Sequence, residues 1–288
     1  MKKMTAIDEQ VAAKREHVHR LWAALAPQWA AHAENVDAMA AQITERLIEL
    51  AAPRPGEEIL ELACGAGGLG LALAPLVAPG GQVVLSDVAP GMVSAAEARA
   101  RARGLLGVST RVLDMEQIEC ADASLDAVVC REGLMFAVHP ATACHEIQRV
   151  LRPGGRLAAA VWGAREDNPW LGLLVAEVER EVGHPVPPPG MPGPFALGDS
   201  NRLAELLVGT GLTDVSVTPL DLTVNEGDFA TFWAMRTALA GPLALLLARM
   251  EPDALQRLRD RTRAALQPYH TKDGIVLPRR CLIASARK

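Results

Sequence analysis

The stretch ILELACGAGGLGLALAPL, residues 59–76, decides how the rest of the chain is read. It begins as a short apolar run, passes through a cluster of small residues and continues with leucine and alanine at helical spacing: a strand, a tight turn and a helix. Gly65, Gly67 and Gly70 match G-x-G-x-x-G. Glycine serves where the backbone must turn sharply and where a ligand comes so close that a Cβ would collide. The pattern by itself signals a nucleotide-type pocket and no particular ligand.

Outward from this turn the same rhythm repeats. Short apolar runs at 58–63, 82–87, 108–113, 125–130 and 156–162 alternate with helical stretches at 68–77, 91–103 and 141–151, and LRPGGRL (151–157) stops the last helix before the next strand. Runs this continuous do not suit a sheet with one wet face, so a parallel sheet covered on both sides is expected. Upstream, Val11, Val18, Leu21, Trp22, Leu25 and Trp29 recur at helical intervals, and after Pro27 a second set does so from Val36 to Leu50; two amphipathic helices are expected. Downstream come a helix at 170–182, the stiff PVPPPGMPGP (185–194), a helix at 199–211 capped by Asp199 or Ser200, and a strand at 213–222. Two more helices follow at 229–248 and 252–266, and a last run, 275–286, is expected as an edge strand. The chain then divides into an N-terminal helical segment (1–52), an α/β core (53–163, 198–224 and 273–288) and helical cap insertions (164–197 and 225–272).

With 288 residues, 50% of them hydrophobic and 22% charged, the chain can bury a sizeable core. Its net charge of −5 lacks the basic excess that phosphate backbones demand, so nucleic acid is not an expected partner. The most apolar run, 237–248, is closed off by Arg236 and Arg249 and contains Gly241 and Pro242, too short and interrupted to span a bilayer. The opening MKKMTAIDEQ carries no apolar export core, and a cytoplasmic protein with no membrane partner is expected. Five cysteines with no C-x-x-C spacing read as reduced thiols, with no metal site.

Acids sharpen the glycine turn. Asp87 closes the second strand about 20 residues after the loop, where a carboxylate can accept from both hydroxyls of an adenosine ribose. Asp114 follows the third strand, an acceptor suited to the exocyclic amine of adenine. Glu61 stands just before the glycines, where it would repel a pyrophosphate and attract a cationic amino-acid tail. The set favours a ligand with ribose, adenine and positive charge.

In ELACGAGG (61–68), LSDVAPGM around Asp87, Asp114 with Met115, and LDAVVCREGLMF followed by HEIQRVLRPGGRL, the chain resembles the class I S-adenosylmethionine-dependent methyltransferases, in particular the small-molecule branch of quinone-biosynthesis type. The resemblance covers roughly residues 57–163. It implies a Rossmann-like α/β fold with a seven-stranded sheet, six strands parallel and the last antiparallel, and S-adenosylmethionine as cofactor. Carried onto this sequence, it places Glu61, Ala63, Gly65, Gly67, Asp87, Val88, Met92, Asp114, Met115 and Cys130 at the cofactor. The expected reaction is methyl transfer to an O, N or C nucleophile of a small-molecule acceptor, by in-line displacement. The chain departs from the family in carrying Glu61 where many members have Asp. After the fourth strand come Cys130, Arg131 and Glu132 and no Asn-Pro-Pro-aromatic motif, and no cysteine follows a proline, so methylation of nucleic-acid bases loses support.

No catalytic base is assigned; His139, beside Pro140 and after the fourth strand, is the candidate. Trp29, Arg131, Trp170 and Phe232 are candidate acceptor contacts, the last two lying in the insertions where the scarce aromatics concentrate. Two other classes stay open: an NAD(P)-dependent oxidoreductase, whose usual Tyr/Lys pair is missing because Tyr269 has Lys272 at i+3, and a non-catalytic adenosyl-cofactor-binding protein. Whether the protein is a monomer or a homodimer is undetermined by sequence.

Overall fold

A computed structural model describes residues 6–288; residues 1–5, part of the stretch weighed for export, lie outside the described residues. In chain order the elements are α1 (Ala6–Ala31), α2 (Ala33–Met39), α3 (Ala41–Ala51), β1 (Glu58–Glu61), α4 (Gly68–Val77), β2 (Gln82–Asp87), α5 (Pro90–Ala102), β3 (Val108–Val112), β4 (Leu125–Arg131), α6 (Pro140–Val150) and β5 (Leu151–Trp162). They continue with α7 (Pro169–Val182), α8 (Ser200–Gly209), β6 (Thr213–Asn225), α9 (Phe229–Leu239), α10 (Pro242–Leu247), α11 (Pro252–Ala265), β7 (His270–Thr271) and β8 (Gly274–Arg287).

The main sheet runs β3-β2-β1-β4-β5-β8-β6, with the two-residue β7 hairpinned onto β8. The first five strands pair in parallel, and β8 runs antiparallel to both β5 and β6. In β4 the consecutive residues Ala127, Val128, Val129 and Cys130 are all fully buried, so both faces of the sheet centre are covered. The Rossmann-like fold and the reversed last strand are as expected. One placement is not: β8 is no edge strand but lies between β5 and β6. Its residues Leu277, Cys281, Ile283 and Ala284 are buried, whereas β6 exposes much of its length and carries Pro219, a residue tolerated at an edge because it cannot donate to a ladder.

Three helical boundaries also differ from expectation. Pro27 does not end the first helix; α1 runs through it for 26 residues. The missing N–H costs one backbone bond, and the burial of Leu25 and Ala26, each 2% exposed, holds the segment in place. The second N-terminal helix breaks at Ala40, which is at once the C-cap of α2 and the N-cap of α3. The expected 229–248 helix breaks at Gly241, whose φ of +58° leaves the helical region and whose successor Pro242 restarts the chain as α10. Asp199 does cap α8, accepting from the Arg202 amide at 2.9 Å. Ile43, Leu47 and Ala51 of α3 belong to the same buried cluster as the sheet, so this helix is a layer of the core. Among the described residues no helix is long and apolar enough to cross a membrane.

Candidate active site

The carboxyl ends of β1, β2, β4 and β5, and the residues just after β3, open into one cavity of about 660 Å³, a size suited to small-molecule ligands. The turn after β1 is tied down from both sides: the Leu62 amide donates to the Val129 carbonyl and the Cys64 amide to the Ser86 carbonyl. Gly67 then caps α4 with φ +89°, and a Cβ there would meet the Ala96 methyl at 3.0 Å. The motif glycine is thus demanded by backbone conformation and by the close approach of α5.

Two acids hold this turn. Asp87, 7% exposed, accepts from the Gly65 amide at 3.0 Å through Oδ2 and from the Ala89 amide at 2.9 Å through Oδ1. Burial raises its carboxyl, opposed by these amide hydrogen bonds. A carboxylate has about four lone-pair sites, so each oxygen keeps one for a ribose hydroxyl. Glu61, 1% exposed, accepts from the Gly70 amide at 2.9 Å, and burial pushes its carboxyl up to about 8 against the opposing pull of Arg131.

The third acid, Asp114, lines the cavity but is already engaged by α1. Its Oδ2 accepts from Arg15 Nε at 3.0 Å and lies 3.3 Å from His19 Nε2, while Oδ1 accepts from the Glu116 amide at 2.8 Å. Burial works to raise this carboxyl, but hydrogen bonds from His19, the Glu116 amide and Arg15 hold it down at about 2. One lone pair on Oδ1 stays open to an adenine amine, the rest of the carboxylate being used to latch the N-terminal helix.

Over β4, β5 and β8 the lining changes character. Arg131 donates to Thr44 Oγ1 at 2.7 Å and pairs with Asp37 at 3.1 Å, and Asp37 in turn pairs with Arg99 at 2.6 Å, fastening α2 to the glycine-loop side. Glu132 adopts φ +59°, an uncommon conformation for a residue with a Cβ and a recurrent sign of a functional position. Trp22 packs edge-on against Trp29 and Phe136, with ring centroids 5.7 and 4.9 Å away, and Trp162 against Trp170 at 4.9 Å. Arg236 and Arg279 enter this end from α9 and β8.

Of the residues singled out by sequence, Glu61, Ala63, Gly65, Asp87, Val88, Met92, Asp114, Met115, Trp29, Arg131 and Trp170 line the cavity together. Four do not. Gly67 shapes the turn from beneath it. Cys130 is fully buried inside β4, its thiol pushed up to about 12 by burial, and the neighbouring Arg131, Glu132 and Gly133 face the space instead. Phe232 is fully buried in the core behind the wall. His139 is exposed, offers no side-chain hydrogen bond at the helix cap it occupies and is not among the lining residues, so nothing seats it as a base. Sequence reasoning missed Asp37, His19, Arg236 and Arg279, which come from segments with no motif. Among the described residues no group of three or more His, Cys, Asp or Glu could hold a metal ion.

Comparison with known proteins shows what part of this chain is similar to. Residues 59–155 match the family model described as "Methyltransferase domain". The chain is 35% identical over 125 residues to the ubiquinone/menaquinone biosynthesis C-methyltransferase UbiE of Ectopseudomonas mendocina, covering 43% of this chain and 48% of that one. It is 39% identical over 116 residues to the nocamycin O-methyltransferase of Saccharothrix syringae, covering 40% and 41%. The matches thus span less than half the length of these relatives. The YcgJ protein of Bacillus subtilis shares the fold at a TM-score of 0.59 and 17% identity, over 85% of this chain and 97% of that one. The strand–glycine turn–helix and the acids on successive strand ends thus lie within or beside a segment, residues 59–155, that is similar to a methyltransferase domain.

Proposed function

We propose that the protein transfers the methyl group of S-adenosylmethionine to an O, N or C nucleophile of a small-molecule acceptor, by in-line displacement. One observation carries the reading: Glu61 and Asp87 flank a glycine turn within a single cavity that extends past β4 into a separate, aromatic-walled half. The donors and acceptors fit the cofactor. Asp87 would take the ribose hydroxyls, Glu61 the methionine ammonium, the small residues Ala63 and Gly65 the close approach of the ligand, and Val88, Met92 and Met115 the adenine faces. The sulfonium, when bound, supplies an activated methyl group with a neutral thioether as leaving group.

What the chain must add is alignment and the exclusion of water. The Arg131–Asp37–Arg99 chain fixes α2, and the Arg15 and His19 contacts to Asp114 fix α1, so residues 1–52, 164–197 and 225–272 would act as the cap over the reacting groups. Trp29 and Trp170 would border the acceptor. A net charge of −5 suits a small metabolite better than nucleic acid as the acceptor. The test is to incubate the protein with S-adenosylmethionine and small-molecule extract of a producing cell. S-adenosylhomocysteine and a product heavier by one CH₂ are expected. Cofactor binding without turnover on any acceptor would favour a non-catalytic binding protein.

A further inference from the structure

Arg236 and Arg279 are 2% and 4% exposed, yet both line the cavity. Taking a guanidinium out of water is costly unless it is paired and hydrogen-bonded, and here two are taken out together. Among the described residues one carboxylate comes within ion-pair distance of them: Glu226, itself 7% exposed, accepts from Arg279 and lies 3.4 Å from Nη2 of Arg236. The Nε–H of each arginine finds no acceptor among the described residues, and the only further polar contact of either is with the Met39 sulfur, at 3.9 and 4.0 Å. Both guanidinium groups lie over the Trp170 ring, 4.8 and 4.7 Å from its centroid, which aids two neighbouring cations without neutralising either.

The other charges nearby do not close the balance. Arg131 is committed to Asp37 and Thr44. Glu132 lies on the same wall, its carboxyl raised by burial against the pull of Arg131 and Arg279, but it makes no hydrogen bond or close ion pair with either arginine of the pair. A structural ion pair needs one arginine for Glu226; the second fork, planar and multiply donating, suits a further anion. β4 and β5 separate β1 from β8, so by strand spacing the pair stands roughly 14 Å from the glycine-turn strand, beyond the acids assigned to the cofactor. Around it the lining is apolar: Met39, Phe136, Leu171, Leu239 and Leu243.

We propose that Arg236 and Arg279 form an anion-recognition element of the acceptor pocket, and that the molecule acted upon carries a carboxylate or an enolate-type oxyanion on an apolar body. This rests on reading the cavity as a joint cofactor and acceptor site. An acceptor that arrives already ionised also accounts for a cavity in which His139 is not placed to take a proton.

Three probes of similar shape separate the possibilities by calorimetry, with and without S-adenosylhomocysteine: naphthoate, hydroxynaphthoquinone as its enolate, and neutral naphthalenemethanol. At least one anion should bind tenfold or more tighter than the neutral probe, and which one does distinguishes carboxylate from enolate. R236Q and R279Q should abolish that preference. E226Q, which removes the competing internal carboxylate, should strengthen it, and naphthoate or the enolate should raise its melting temperature more than that of the parent. Equal binding of anion and neutral probe, binding of neither anion, a preference that survives in folded R236Q or R279Q, or a weaker preference in E226Q would overturn the proposal. Should the arginine variants not fold, E226Q alone decides. S-adenosylhomocysteine is titrated separately: if it does not bind, the cofactor reading fails, while the anion preference of the free protein is still read on its own.

Discussion

The proposed pairing of Glu61 with the ligand's ammonium would make cofactor affinity a function of pH with a predictable sign. In the free protein its carboxyl is fully buried and pushed up to about 8, so at neutral pH it is largely protonated. An acid whose folded value lies above its unfolded value near 4.3 favours the folded state below that value and loses this contribution as pH rises towards 8. Binding of a ligand whose ammonium meets this carboxyl must therefore ionise it. At pH 6 about one molecule in a hundred already carries the charge and at pH 8 about half do; the ligand's own amino group, near 7.7–8.0, starts to lose its proton at the upper end. Together these make the Kd for S-adenosylhomocysteine fall roughly twentyfold from pH 6 to pH 8. E61Q keeps an oxygen for the Gly70 amide, binds more weakly at pH 8, and should show no such rise in affinity. Calorimetry in two buffers of different ionisation enthalpy reads both the Kd and the proton released on binding. A Kd that stays constant over this range, or the same slope in E61Q, would refute the pairing of Glu61 with the ligand's ammonium.

Three further outcomes are expected. Asp87 holds two backbone amides in addition to the ribose role proposed for it: D87A orphans the Gly65 and Ala89 amides, so it should weaken S-adenosylhomocysteine binding and also cost about 1–3 kcal/mol per unsatisfied donor in urea unfolding, with D87N recovering part of the stability. A Cβ at Gly68 would come within 1.7 Å of Asp37 Oδ1 and 2.8 Å of Arg131 Nη2, so G68A should push both side chains aside and break the ion pair that ties down α2, lowering stability by about 1 kcal/mol and hastening proteolysis of the N-terminal helices. Asp114, held at about 2 in the folded protein against roughly 3.9 unfolded, contributes stability above about pH 4 that disappears towards pH 2; D114N should melt lower at pH 7 and show a flatter acid limb in thermal scans between pH 4 and pH 2.

The parts of the molecule that could be read from sequence are those governed by local rules. The glycine turn, the strand-end acids and the βα alternation each leave a short-range signature, because backbone conformation and strand burial are settled within a few residues. Placement of β8 inside the sheet depended on comparing it with β6, whose Pro219 and exposed residues mark the true edge; the signal was present but lay in the partner strand. Pro27 misled because tertiary burial of its neighbours outweighs one missing hydrogen bond. Arg236, Arg279 and Asp37 left no trace because their meaning comes from long-range juxtaposition: Arg236 and Glu226 are near in sequence, but Arg279 and Met39 reach them from opposite ends of the chain. His139 and Cys130 show the converse: each stands next in sequence to residues that line the cavity, but orientation is set by strand alternation and the course of the loop, and neither side chain faces the space.

Thermal melting of the purified chain, with S-adenosylhomocysteine in one sample and NADH in another, goes most directly to the centre of the account. A ligand at a hundred times its Kd stabilises the native state by about 2.7 kcal/mol, so S-adenosylhomocysteine should raise the Tm by roughly 5 °C and NADH should leave it unchanged. A shift with NADH and none with S-adenosylhomocysteine would contradict it.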